Sequence, residues 1–244
     1  MNDYLDAYAI KARLAPAALA IAPVIVLIVL AFNWAQPSLP EAIISLAVMV
    51  LFFAASNVAR RLGKRKERQL FATTGGRPEN RELSHLDKTL DERTKGRYRK
   101  FLAHQLEQPA PTRDMEVEDP DEAAAFYVQC YNWLRENTRD TEKFRILLNE
   151  NIAYGYYRNL LALKPYGIML NLLTIAAAAA IIYYKPDFAE LTHGKLVALG
   201  ILAAVHAGYL IFGVTRRAVL DASKAYARQL TLSCEALIVQ MKSA

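Results

Sequence analysis

The chain has 244 residues, 54% of them hydrophobic and 22% charged, and a net charge of +6. That mixture argues against one uniform soluble domain and points to very apolar stretches alternating with very polar ones. The two cysteines, Cys130 and Cys234, lack metal-ligand spacing and read as reduced, structural thiols rather than a disulfide scaffold. The basic balance fits attraction to anionic headgroups or nucleotide phosphates, and equally fits cytoplasmic loops that follow the positive-inside bias.

In chain order, four stretches lack Asp, Glu, Lys and Arg over the length that a membrane-spanning helix needs, at least about 17 residues. They are 14–34, 42–59, 166–184 and 196–215. The first is longer than a signal-peptide core of roughly 7–15 residues and is followed at once by the second, so it reads as a retained span. Pro16 suits its first turn, and Pro23 predicts a kink. Lys11 and Arg13 precede span one, and Arg60, Arg61, Lys64, Arg65, Lys66 and Arg68 follow span two. Lys164 precedes span three, and Arg216 and Arg217 follow span four. The opposite side has the uncharged link AQPSLP and the charge-balanced link KPDFAELTHGK. This bias places both termini in the cytoplasm of a bacterial inner-membrane protein. Trp34, Tyr166, Tyr183 and Tyr184 stand near span ends as interfacial anchors. The expected fold is an all-α membrane protein with four transmembrane helices as two hairpins. The first hairpin takes 1–60, a helical cytoplasmic domain 61–164, the second hairpin 165–216, and a cytoplasmic C-terminal helix 217–244.

Between spans two and three, ARRLGKRKERQLFA reads as a basic helix that TTGGRP stops. A second helix is expected over about 87–106. The acidic link EQPAPTRDMEVEDPDE reads as a solvated loop or a partner for the basic stretches, with Glu116, Glu118 and Asp119 mobile. Asp119 as cap and Pro120 at the first position then open a helix whose apolar face is Ala124, Phe126, Tyr127, Cys130, Tyr131 and Leu134. Phe144, Leu147, Leu148, Ile152, Tyr156, Leu160 and Leu163 recur at helical spacing over 141–163, and Pro165 breaks or bends the chain before span three. Span four and the tail read as one helix of roughly 45 residues, about 70 Å long. The tail's stripe of Val219, Tyr226, Leu230, Cys234, Leu237 and Met241 needs a partner: the basic extension of span two, the central domain or another subunit. No alternating strand pattern occurs.

The four histidines, His85, His104, His193 and His206, have no second histidine at ligand spacing, and no phosphate loop, nucleophile elbow or zinc motif is present. No catalytic residue, metal or cofactor is assigned, and the chain is not read as an enzyme. Ser56, Asn57, Asn171, Thr174 and His206 are polar groups within or beside spans. They line a pore or hydrogen-bond neighbouring helices. The run AAAAA at 176–180 permits close helix approach or forms a narrow apolar constriction. Two hairpins do not readily enclose a water path, so a pore requires a homo-oligomer, with a tetramer as the leading arrangement. Glu41, Asp187 and Glu190 would then ring its outer mouth.

Arg97, Tyr98, Arg99 and Lys100 in RTKGRYRK, together with Lys64 and Arg65, would neutralise phosphate, with Tyr98 stacking on a base. A solvated helix face or headgroup contact is the alternative. In NENIAYGYYRNLLALKP, Asn151, Tyr154, Tyr157 and Arg158 share a helical face, and Tyr154 and Arg158 join the ligand candidates. Gly155 sits mid-helix at about 1 kcal/mol against Ala, which implies close backbone approach. The segment is either a coupling element or an amphipathic linker.

Two hairpins, a helical insert and this segment entering span three resemble the membrane channels of Hailong-type anti-phage nucleotide-signalling systems. The resemblance implies an oligomeric ion channel, controlled by a nucleotide or oligonucleotide signal that a nucleotidyltransferase partner makes. It transfers no ligand residue. The rival expectation is a non-conducting anchor or scaffold that recruits a cytoplasmic protein partner. A small transporter is disfavoured, because no span holds a carboxylate or basic pair for coupling.

Overall fold

The computed structural model describes residues 7–32, 39–73, 81–184 and 191–243. Among them the secondary structure is helical, without strands. α1 is Ala15–Ala31, entered through a π-helical turn at Ile10–Leu14; α2 is Leu39–Thr73. α3 is Glu92–Leu106, α4 Arg113–Glu118, α5 Pro120–Asn137 and α6 Arg145–Tyr184. α7, His193–Gly208, ends in a π-helical turn at Tyr209–Gly213, and α8 is Arg216–Ser243. Four segments are long and apolar enough to cross a membrane: Ala7–Ala31, Leu46–Ala72, Arg145–Tyr184 and His193–Gly213. The stop at 74–78, Trp34, Lys185, Asp187, Glu190 and the side chain of Glu41 lie outside the described residues.

The chain divides into two compact units, Met1–Arg68 with Gly155–Val219, and Gln69–Tyr154 with Leu220–Ala244. In the first, small residues let helices approach closely. Ala20 of α1, Ala59 of α2 and Leu163 of α6 form one buried cluster. Leu27, Ala178 and Leu199 bring α1, α6 and α7 together in another. A methyl on Gly155 would press within 3.0 Å of Tyr8 Oη and Ala12 Cβ, so the expected close approach at this glycine is present. Large apolar side chains cover the outside of these helices: Val50 is 60% exposed, Leu172 64%, Val205 67% and Phe212 80%. Such a surface is far more apolar than water tolerates, and it matches hydrocarbon.

Three continuity expectations change. Pro165 does not end a helix, because α6 runs through it. Proline removes one backbone hydrogen bond and disfavours a helix interior by about 3 kcal/mol. Helices held by neighbours on several sides tolerate that loss, and Leu160, Leu161, Ala162 and Leu163 are all buried immediately before it. The long helix from span four to the tail is instead broken. Val214 is extended, with φ −92° and ψ 96°. Lys164 Nζ donates to the freed carbonyls of Ile211 and Val214, both at 3.0 Å. Thr215 then restarts the chain as a helix cap, its Oγ1 accepting the Ala218 N–H. Lastly, the helix expected from about residue 87 starts at Glu92. Asp87 closes a turn onto the Thr89 N–H at 2.8 Å, and Asp91 caps α3 through the Thr94 N–H at 2.9 Å.

The second unit has its own apolar core. Leu102 and Tyr98 of α3, Phe126, Tyr127, Cys130, Tyr131 and Leu134 of α5, and Leu230, Cys234 and Leu237 of α8 are all buried in it. The tail stripe therefore packs on the central segment, although Met241 is exposed. Asp119 and Pro120 open α5 as expected, with Asp119 Oδ1 accepting the Glu122 N–H. Ala124 is exposed, and Ala123 takes its place on the buried face. Both thiols are free and buried, and burial pushes Cys130 up to about 12, so neither is a thiolate at neutral pH.

Gly63 of α2 faces the Asn159 side chain so closely that a methyl there would overlap it. Asn159 cannot swing aside freely, because its Nδ2 donates to the Ala12 carbonyl at 2.6 Å. Gly63→Ala is expected to destabilise the protein by about 1–3 kcal/mol through overpacking. The thermal midpoint of the detergent-solubilised protein measures it; an unchanged midpoint would contradict this packing.

Candidate functional site

Two groups of polar side chains stand out, one in each unit. In the first unit, Asn171, Thr174 and His206 are buried inside the apolar bundle. Thr174 Oγ1 returns a hydrogen bond to the Leu170 carbonyl of its own helix at 2.8 Å. Asn171 Nδ2 donates from α6 to the Ala203 carbonyl of α7 at 2.8 Å. His206 Nε2 lies 2.9 Å from the Leu19 carbonyl of α1. A carbonyl only accepts, so Nε2 carries a proton in this contact. Asn171 Oδ1 and His206 Nδ1 are buried without a hydrogen-bond partner among the described residues. Asn171 Oδ1 is an acceptor that calls for an outside donor such as water, and His206 Nδ1 is a second buried polar atom left over. Of the other pore-lining candidates, Ser56 is half-buried and Asn57 exposed on α2, outside this buried set.

About two helical turns before Pro165, Arg158 and Asn159 tie α6 to its neighbours. Arg158 pairs with Glu67 of α2 at 2.6 Å, and both side chains are nearly buried. Breaking such a pair is far more harmful than its net contribution suggests, because the surviving charge stays buried. Arg158 thus already has a carboxylate partner. Tyr154, buried in the second unit, stacks on Tyr226 with ring centroids 6.2 Å apart. Tyr157 is exposed and Asn151 half-buried.

In the second unit the cluster at 97–100 does not form one surface. Arg97 pairs with Glu235 of α8, and the Tyr98 hydroxyl donates to the same carboxylate at 3.2 Å. Arg99 is buried, donating to the Leu83 carbonyl at 2.7 Å and pairing with Glu92. Lys100 is exposed, as are Lys64 and Arg65 on α2 in the first unit. Lys95, which the sequence did not single out, is 1% exposed. Its ammonium donates to the carbonyls of Ser84 and Asp87 and pairs with Glu92 at 3.2 Å. Buried Lys95 and Arg99 therefore act as bolts that fasten the turns at 81–91 onto α3.

These turns border an open cleft of about 640 Å³, lined by His85, Asp87, Lys88, Glu92, Lys95 and Arg113 among others. Its acids are already engaged: Glu92 holds Lys95 and Arg99, and Asp87 holds Thr89. Lys88 and Arg113 are exposed and have no hydrogen-bond or ion-pair partner among the described residues, leaving the cleft mouth positive.

Glu116, expected to be mobile in the acidic link, is instead 4% exposed. The Tyr127 hydroxyl donates to it, as do Ser84 Oγ at 2.7 Å and the His85 N–H at 3.0 Å. Burial acts to raise its pKa, but these three donors together outweigh burial and hold the carboxyl below the usual range. Its one sequence signal was position: Thr112 starts α4, and Glu116 falls one turn into that short helix.

Compared with protein-family models, curated proteins and solved structures, the chain matches none.

Glu116→Ala leaves the Tyr127, Ser84 and His85 donors without their acceptor and is expected to destabilise by about 1–3 kcal/mol. Because the folded carboxyl is held low, its contribution is complete above the unfolded value of about 4.3 and is lost as pH falls through the folded value. Thermal melts across pH 2–7 should therefore show a shallower acid-side loss for Glu116→Gln than for the wild type, with the difference developing below the unfolded value of about 4.3.

Proposed function

We propose that the protein is a four-span protein of the bacterial inner membrane, with both termini cytoplasmic and its spans arranged as two hairpins. In this reading it assembles as a homo-oligomer, a tetramer first among the arrangements to test, and conducts ions. The observation that carries the reading is the buried set Asn171, Thr174 and His206, with two polar atoms left without a partner among the described residues inside an otherwise apolar bundle. A hydrated polar seam between spans is what an ion path requires and what a mere anchor does not. The orientation is supported by the exposed cations that follow the apolar part of α2.

The proposed control is a phosphate-bearing nucleotide or oligonucleotide signal acting on the cytoplasmic unit, in anti-phage defence with a nucleotidyltransferase partner, as the resemblance to Hailong-type channels implies. The cleft mouth with Lys88 and Arg113 supports this role better than residues 97–99, whose charges and hydroxyl are already engaged inside the protein.

A second reading, a non-conducting scaffold that recruits a cytoplasmic protein, is favoured by one feature. A groove of about 600 Å³ beside α4 and α5 has apolar walls at Met115 and Phe126 and acids at Glu118 and Glu122, which suits a basic peptide.

Purified protein in planar bilayers separates these readings. The channel reading expects conductance, an oligomeric mass in detergent, and altered conductance in Asn171→Leu or His206→Leu. It further expects that Lys88→Ala with Arg113→Ala weakens the response to an added oligonucleotide at least about tenfold, in line with two lost phosphate contacts. No conductance with or without oligonucleotides, from a monomer or dimer, leaves the scaffold.

A further inference from the structure

α2 presents two opposite faces below its apolar part. Ala59, Gly63 and Glu67 recur every four residues and are buried against the first unit. Opposite them, Arg61, Lys64, Arg65 and Arg68 are exposed at helical spacing. None of the four has a hydrogen bond or ion pair among the described residues, whereas Glu67, the acid between them, is turned inward onto Arg158. The same exposed stripe continues up the helix as Leu46, Val50 and Phe53, which are 58%, 60% and 57% exposed. Residue spacing of 100° per position keeps 46, 50, 53, 61, 64 and 68 within one sector of the helix. From Phe53 to Arg61 the helix rises about 12 Å.

We infer that this stripe is a docking surface for an anionic phospholipid, whose phosphate diester meets the four cations while its acyl chains lie along Leu46, Val50 and Phe53. The chemistry selects that occupant. Guanidinium and ammonium groups bind phosphate oxygens, with arginine able to do so through two parallel hydrogen bonds. The surface is the outer side of a helix, and the clefts described above do not include its residues. It does offer an apolar track in register with the cations, which a soluble phosphate cannot use and a lipid can. The inference assigns Lys64 and Arg65 to lipid rather than to a nucleotide. It rests on the proposal that α2 crosses a membrane, and is independent of whether the protein conducts ions.

The test uses the full chain, delipidated in a neutral detergent, and a variant with Arg61, Lys64, Arg65 and Arg68 all changed to Gln. Phosphatidylglycerol and phosphatidylcholine with identical acyl chains are titrated in, and retained lipid is counted by native mass spectrometry. The wild type should retain phosphatidylglycerol at least about tenfold more tightly than phosphatidylcholine, and the variant should lose that preference. Added inorganic pyrophosphate should not displace the lipid. The variant should keep the wild-type thermal midpoint in detergent, since its four side chains hold nothing within the fold. Equal retention of the two lipids by the wild type, an undiminished preference in the variant, or displacement by pyrophosphate overturns the inference. Alkaline carbonate extraction of expressing cells reads the membrane reading separately. Protein in the supernatant overturns both; protein in the pellet without lipid preference overturns the docking surface alone.

Discussion

An amide side chain inside an apolar bundle must find its partners on neighbouring helices, because nothing else there can bond it. Asn159 is where that constraint is tightest. It is 1% exposed, donates to the Ala12 carbonyl at the start of the N-terminal helix, and rests against Gly63 of α2. One residue earlier, Arg158 reaches Glu67 of α2. Two adjacent residues of α6 therefore locate the N-terminal helix and α2 against it, and the small residues Ala12, Gly63 and Ala59 provide the space to come that close. The alignment of α6 fixes in turn which of its later residues face inward. Asn171 lies twelve positions on, about a third of a turn round the helix from Asn159, where it is buried and bonds the Ala203 carbonyl of α7.

Polar residues in this unit thus divide by what they can reach. Asn159, Arg158 and Lys164 find complete partners in other helices or in freed carbonyls. Asn171 and His206 each satisfy one atom and leave one polar atom over. The first kind of residue holds helices together. The second is the kind that a water path through a membrane needs, and the proposed function depends on it. Lys164 shows how close the two roles can lie: its stem runs along apolar helix while its ammonium caps the break between α7 and α8.

The second unit is organised by the opposite means. Its core is aromatic and aliphatic, and charges are used at its edge to fasten irregular chain. Lys95, Arg99 and Glu116 are long side chains whose ends bond backbone and hydroxyl groups of the turns near residues 83–87. Turns contain backbone donors and acceptors with no helix to bond them, so buried charges are a direct way to satisfy those groups. The same arrangement withdraws Lys95 and Arg99 of the basic 93–100 run from solvent, and leaves Lys88 and Arg113 as the accessible cations beside the cleft.

By itself the sequence determined the helical class, the four apolar segments, the cap and first turn of α5, and the apolar stripe of the tail. Each of these follows from local chemistry or from periodicity, which survive in one dimension. The close approach at Gly155 was legible for a similar reason, since a glycine inside a strong helix has few other uses. Only the tertiary structure decided which charges are spent inside the fold. Arg97 and Glu235 are 138 positions apart, and Arg158 and Glu67 are 91 apart, so no window along the chain contains both partners. It also decided that α6 continues through Pro165 while α7 stops before Thr215. In the first case buried neighbours offset a local breaker; in the second, Lys164 supplies from another helix the donors that a broken end needs.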